Sequence, residues 1–149
     1  MVVGRPKLPF VDEAVEHYAS AIRRSAELEI EVLKDAESDP AREAESVRRL
    51  LARRKWQGHT ELVLLDEKGA AFTSRDFAGW MAARETAGVS RLVFVVGGAF
   101  GLHESLRLEG DHLVSLSKMT FPHDFARAVI LEQIYRALQI RQGGKYHHD

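Results

Sequence analysis

The run Arg91-Leu92-Val93-Phe94-Val95-Val96 holds five apolar residues in succession, with no polar residue between them. A strand with one wet face alternates apolar and polar side chains, so an unbroken run is covered on both faces. That is the position of a strand in a parallel sheet between two layers of helices. The rest of the chain agrees, because its apolar periodicity switches between strand-like and helix-like along the whole length. We find no internal repeat, linker or low-complexity tract. The prediction is an α/β fold: a mostly parallel sheet with helices on both faces, in a single domain spanning residues 1–149.

Local signals place the elements. Val2-Val3 reads as the stub of a first strand, and the Gly4–Lys7 turn leads to a helix starting near Asp12, with Val11, Val15, Tyr18 and Ile22 on its apolar stripe. Leu28–Leu33 alternates and predicts a second strand. Asp39-Pro40 supplies an N-cap and a first-turn proline for a helix ending around Trp56 and Gly58. Glu61–Asp66 is a short strand. Ser74 is the expected cap of a helix through Phe77, Trp80 and Met81 that Gly88 closes. After Val96 come a glycine turn from Gly97 to Gly101, a short helix, a strand His112–Ser117, a loop Lys118–His123 and a long helix from about Asp124 to Arg141.

Composition removes several function classes. Among 149 residues, 45% are hydrophobic and 29% charged, and the longest apolar runs are far too short to span a bilayer, so no membrane partner is expected. The absence of cysteine excludes disulfides, thiolate zinc sites and cysteine nucleophiles. Without a long apolar secretory core near the N-terminus, the expected compartment is the cytoplasm. No histidine or carboxylate recurs at a convincing metal spacing, and no metal is expected. A net charge of −1 means that contact with nucleic acid must come from local clusters.

Ligands of open parallel sheets gather at the carboxyl ends of the strands, which here means the loops after Leu65, Val96 and Ser117. The glycines from Gly97 to Gly101 let backbone approach a ligand, although a tight strand-to-helix turn explains them equally well. Ser115, Ser117 and Thr120 crowd hydroxyls near a strand end, with Pro122 and His123 ahead of a helix, and capping explains much of that pattern. Glu132 and Arg136 read as an ordinary helix ion pair or as part of a face that meets a second subunit. Arg48, Arg49, Arg53, Arg54 and Lys55 form a basic cluster that is either a solvated face or an RNA contact.

Taken together, several runs resemble the RlmH family. They are Leu92–Leu102 with its glycine turn, Ser115-Leu116-Ser117-Lys118-Met119-Thr120-Phe121-Pro122-His123, then Arg127, Glu132-Gln133-Ile134-Tyr135-Arg136-Ala137, and Tyr146-His147. Val3-Gly4 and the Leu64-Leu65-Asp66 strand end fall into the same order. The resemblance covers essentially the whole chain, and its specificity lies in the spacing of the combination. It departs from the family in having fewer strand residues ahead of Val3-Gly4, so a short first strand is expected.

That family comprises SPOUT methyltransferases that modify N3 of a pseudouridine in large-subunit ribosomal RNA. The resemblance therefore implies a C-terminal trefoil knot, S-adenosylmethionine as cofactor, and a homodimer in which two subunits complete each active site. Periodicity does not indicate a knot, and the general avoidance of threaded chains points the other way. Carried over by residue, cofactor contacts fall on Leu65, Gly98, Ser117, Lys118, Met119, Thr120, Phe121 and Pro122. His123, Arg127, Tyr146 and His147 are the candidates for helping the uracil-type N3 lose its proton. The low net charge favours an assembled ribosome as partner over free RNA. Two readings compete: a non-catalytic ribosome- or RNA-binding module on the same fold, and a small-molecule enzyme of flavodoxin-like or Rossmann-like build. The second lacks the early phosphate loop such enzymes use.

Overall fold

The computed structural model describes residues 1–4, 8–34, 39–144 and 146. Its sheet holds β1 (Val2–Val3), β2 (Val32–Leu33), β3 (His59–Ala71), β4 (Val89–Val96) and β5 (His112–Ser115) in the order β2-β1-β4-β3-β5. Every pairing is parallel. Helices α1 (Pro9–Ile22), α3 (Ser74–Thr86) and α5 (His123–Arg141) cover one face, and α2 (Pro40–Arg53) with α4 (Glu104–Arg107) covers the other. The run in β4 explains its own lack of alternation. Phe94 and Val96 pack into the core under α1, α3 and α5, while Val93 and Val95 pack into the core under α2 and α4. Burying side chains such as Val63, Leu64 and Val95 completely is worth about 2 kcal/mol each.

Helix starts follow local chemistry. Asp39 caps α2 as expected, accepting from the amides of Ala41 at 2.9 Å and Arg42 at 3.3 Å. Asp39→Ala should cost about 1 kcal/mol, read as a lower urea midpoint with an unchanged slope. α1 starts at Pro9 and not near Asp12, because a proline fits the first turn, where its missing N–H goes unused. In α3 the cap is Thr73 rather than Ser74: Thr73 Oγ1 accepts from the Asp76 amide at 3.1 Å, and the Ser74 hydroxyl donates to Gln133 at 2.9 Å. Gly88, at φ +83°, ends that helix.

Strand lengths differ more from expectation. The alternating stretch Leu28–Leu33 pairs only at Val32-Leu33, since β1 offers it two residues. β3 is longer than Glu61–Asp66 because a second pairing with β5 resumes at Ala70 and Ala71. β5 stops at Ser115, where the serine hydroxyl donates to the Ser117 carbonyl at 2.9 Å and bends the chain out of the ladder. Helix α2 ends at Arg53, earlier than the expected Trp56. Among the described residues no helix is long and apolar enough to cross a membrane.

Candidate functional site

Register decides where the strand-end loops meet. Leu65 of β3 lies opposite Val96 of β4 and Val114 of β5, so the bulge of β3 and the ends of β4 and β5 share one level. After Leu65 the chain arches out from Asp66 to Gly69 before Ala70 returns to Val114. Gly69 makes this possible. A Cβ there would lie 2.5 Å from the Val114 nitrogen and 2.6 Å from the Leu113 carbonyl carbon. After Val96, Gly98 and Gly101 close a tight turn through an amide-to-carbonyl bond of 3.0 Å, with Gly101 at φ +73°. After Ser115, the Ser117 hydroxyl accepts from the Met119 amide at 2.9 Å, leaving Lys118, Met119 and Thr120 exposed and Phe121 half-buried.

The expected cofactor contacts Leu65, Gly98 and Ser117–Pro122 are thus gathered at one edge of the sheet. The surface they form is open. The void enclosed behind the glycine turn, among Val3, Glu43, Gly97 and Gly101, is about 10 Å³, roughly one water. The amide of Gly98 is engaged by a buried carboxylate, donating to Glu43 Oε2 at 3.1 Å, and a Cβ at position 98 would lie 2.4 Å from Glu43 Oε1. Ala99, Phe100, Gly101 and Lys118 to Thr120 are exposed, so the edge presents a shelf. Its exposed apolar residues are Phe100, at 72% exposure, and Met119, at 75%. Beside it Phe121, Phe125 and Phe10 form a ring cluster with centroids 5.8 and 6.5 Å apart.

The residues proposed for proton handling separate. His123 is the first residue of α5, at the shelf, with Nε2 3.3 Å from Asp124 Oδ1. Arg127 is 2% exposed, and its guanidinium faces inward. It donates to the carbonyls of Gly4 and Val3, each at 3.0 Å, and pairs with Asp124 at 2.9 Å. Burial lowers its pKa, opposed by Asp124 and Asp12. Tyr146 packs against the middle of α5: its hydroxyl lies 3.3 Å from that of Tyr18 and donates to Glu132 at 3.2 Å, and its ring meets Tyr135 and the Arg136 guanidinium. Burial foremost, then the Tyr18 bond and the Glu132 charge, raises the phenol pKa, so it stays protonated. His147 lies outside the described residues.

The basic cluster also divides. Arg48 bonds Glu109 at 2.8 Å and Ser105 at 2.6 Å, with its pKa raised chiefly by the Glu109 bond. Arg54 pairs with Glu29 and Glu31. Arg49, Arg53 and Lys55 are exposed. Glu43, near the start of α2, touches the shelf, so Arg53 lies about 15 Å further along the helix, toward the opposite end of the strands.

Three site residues escaped the sequence reading. Glu43 sits in a helix rich in acids, where only its place on the buried stripe with Ala44 and Val47 sets it apart. Asp66, buried at the β3 end, accepts from Arg107 Nε at 2.6 Å and from the Lys68 amide at 3.0 Å. An acid directly after four apolar strand residues was the available signal for that pair.

A family model described as "Predicted SPOUT methyltransferase" matches residues 1–147. The chain is 43% identical over 153 aligned residues to "Ribosomal RNA large subunit methyltransferase H" of Nitratidesulfovibrio vulgaris, covering 100% of this chain and 96% of the relative. Proteins of the same name from Geotalea uraniireducens and Parabacteroides distasonis are 39% and 35% identical, each over 95% or more of both chains. Among solved structures, the SpoU methyltransferase AviRb of Streptomyces viridochromogenes superposes with a TM-score of 0.51 at 19% identity, a likeness of fold. It covers 96% of this chain, and this chain spans 60% of that one. The parallel sheet, the level strand ends and a match along nearly the whole length agree: the chain belongs to the SPOUT methyltransferase family.

Proposed function

We propose that this chain transfers the methyl group of S-adenosylmethionine to N3 of a pseudouridine in large-subunit ribosomal RNA, on the assembled ribosome. The observation that carries the reading is the shared level of Leu65, Val96 and Val114, which puts the glycine turn and the Ser117–Pro122 bend side by side. The names of the relatives support the reaction and the substrate class. The donor set fits the cofactor in kind. Leu65, Phe100 and Met119 would offer the nucleoside apolar surface, while Glu43 and Asp66, buried on the Gly98 amide and on Arg107, would hold the loops around it in place.

When bound, S-adenosylmethionine supplies an activated methyl carbon, so the protein's tasks are alignment and removal of the N3 proton. Backbone of the Gly98 turn and of Ser117–Pro122 would hold the cofactor. His123, adjacent to that bend, would take the proton, with Asp124 orienting its ring. Tyr146, protonated and partly buried, would donate a hydrogen bond to the developing anion. In its own chain it sits near Tyr135, about 18 Å along α5 from His123. It therefore reaches a site only across a subunit boundary, which favours a homodimer in the cytoplasm. The cluster of exposed Phe10 and Phe125 with half-buried Phe121 is the surface such a partner would cover. The C-terminal trefoil knot belongs to the same reading, as does the treatment of residues 1–149 as one domain.

Calorimetry tests this directly. S-adenosylmethionine should bind, while flavin and nicotinamide cofactors should not. A protein that associates with ribosomes and binds none of the three would be the non-catalytic module. His123→Ala should lower methyl transfer by about 100-fold with cofactor affinity unchanged, and Tyr146→Phe by about 10-fold. Wild-type turnover in both variants removes these residues from the mechanism.

A further inference from the structure

The two sides of the sheet leave different chemistry exposed beside the shelf. On the side of α1 and α5 it is apolar, from Phe10 and Phe125. On the side of α2 it is cationic. Arg42, Arg49 and Arg53 are seven and four residues apart, and at 3.6 residues per turn they fall within about 40° of one another around the helix. All three are exposed, opposite the buried stripe of Glu43, Ala44 and Val47. They span about 16 Å along the axis.

This stripe begins at the shelf. Arg42 precedes Glu43, whose carboxylate accepts from the Gly98 amide at 3.1 Å, and Pro40 and Gly101 line one small void. The turn packed on the start of α2 is therefore the turn that carries Phe100. Its backbone is closed by the Gly98–Gly101 bond of 3.0 Å, yet the Phe100 ring is 72% exposed. The stripe is also open to a partner. Among the described residues neither Arg49 nor Arg53 has an acidic partner, whereas Arg48 bonds Glu109 and Arg54 pairs with Glu29 and Glu31. Arg42 meets Asp39 at 3.4 Å with 72% of its side chain still exposed. Of the acids in α2, Glu43 is buried and Glu45 pairs with Arg48 at 3.8 Å.

We propose that the outer face of α2 is the track for the RNA strand flanking the methylated nucleotide, with Arg42, Arg49 and Arg53 on its phosphates and Phe100 stacked on the base next to the target. The inference rests on the methyl-transfer reading and adds where the substrate lies. Guanidinium forks match phosphate oxygens, and an exposed ring stacks on any base. A nucleotide brought to the shelf has left its stack, so its neighbour loses a stacking face that Phe100 replaces. Since α2 covers the side of the sheet away from Phe10 and Phe125, a second subunit seated on that cluster leaves the track open.

Binding of the full-length protein to purified large ribosomal subunits, measured across a salt series, separates charge from stacking. Arg49→Gln with Arg53→Gln should flatten the slope of log affinity against log salt by about 1.5 and raise Kd about tenfold near 100 mM salt. Phe100→Ala should raise Kd about tenfold at every salt with the slope unchanged, and Phe100→Trp should restore it. Arg23→Gln with Arg24→Gln, the same loss of charge past the end of α1, should keep the parent slope. An unchanged slope in the α2 variant, or equal flattening in the α1 control, overturns the track. Equal dependence on Arg49 and Arg53 when the probe is ribosomal protein stripped of RNA assigns the face to a protein and overturns it too. Methyl transfer to the same subunits separates the two readings: a flattened slope without any transfer by the wild-type protein keeps the track and removes the reaction, and transfer with an unaltered slope does the reverse.

Discussion

Gly69→Ala is expected to lower the thermal midpoint by about 10 °C, corresponding to about 3 kcal/mol in a chain of this size. The added methyl meets backbone on the neighbouring strand, with the Val114 nitrogen at 2.5 Å and the Leu113 carbonyl carbon at 2.6 Å, and neither can step aside as a flexible side chain would. β5 must move away from β3, and with it the Ser115–Ser117 bend must leave Leu65. Affinity for S-adenosylmethionine should fall in the same variant. Gly79→Ala is the matched control. It lies in α3 with nothing within 4 Å of the new Cβ, and alanine there should stabilise by about 0.5–1 kcal/mol. Scanning calorimetry on the pair checks both signs, and an unchanged midpoint in Gly69→Ala would mean that β3 and β5 are not held at this register.

Arg127→Leu should be costlier still, about 3–5 kcal/mol, because it removes a buried cation from beside Asp124 and the guanidinium donor from the carbonyls of Val3 and Gly4. Arg127→Lys keeps the charge but loses the fork that reaches two carbonyls at once, so it should recover only part of the loss. The structure thus gives Arg127 a role of tying the end of β1 to α5. Denaturant unfolding with methyl transfer measured alongside separates this from chemistry. A fully stable Arg127→Leu protein with lost turnover would return Arg127 to the catalytic group.

Much of the architecture was legible where a single residue type dictates geometry. The unbroken run in β4 announced a strand covered on both faces, and Asp39-Pro40 announced both the start and the cap of α2. The same holds for Gly88 and the Gly98–Gly101 turn. Features that depend on a neighbour's length were not legible. Leu28–Glu31 alternates like a strand, yet pairing needs a partner, and β1 supplies two residues. The site followed the same division. The loop after Val96 could be placed at a strand end from sequence, whereas β5 stops at Ser115 instead of Ser117 and β3 continues past Leu65 to Ala71, because the bend and the second pairing depend on contacts beyond the local run. The engagement of Gly98 by Glu43, the inward turn of Arg127 and the distance between Tyr146 and His123 arise from packing between segments far apart in the chain. The basic cluster shows the limit of reading charge along a line: Arg48 and Arg54 find acidic partners that no local spacing reveals.

If the loops at this edge of the sheet hold S-adenosylmethionine for methyl transfer to ribosomal RNA, a modified nucleotide depends on this protein. Mass spectrometry of large-subunit ribosomal RNA, from cells with and without the gene, tests it most directly. One N3-methylated pseudouridine is expected in the presence of the protein, absent without it, and restored by the wild-type chain but not by His123→Ala. Identical methylation in both cell lines would contradict it.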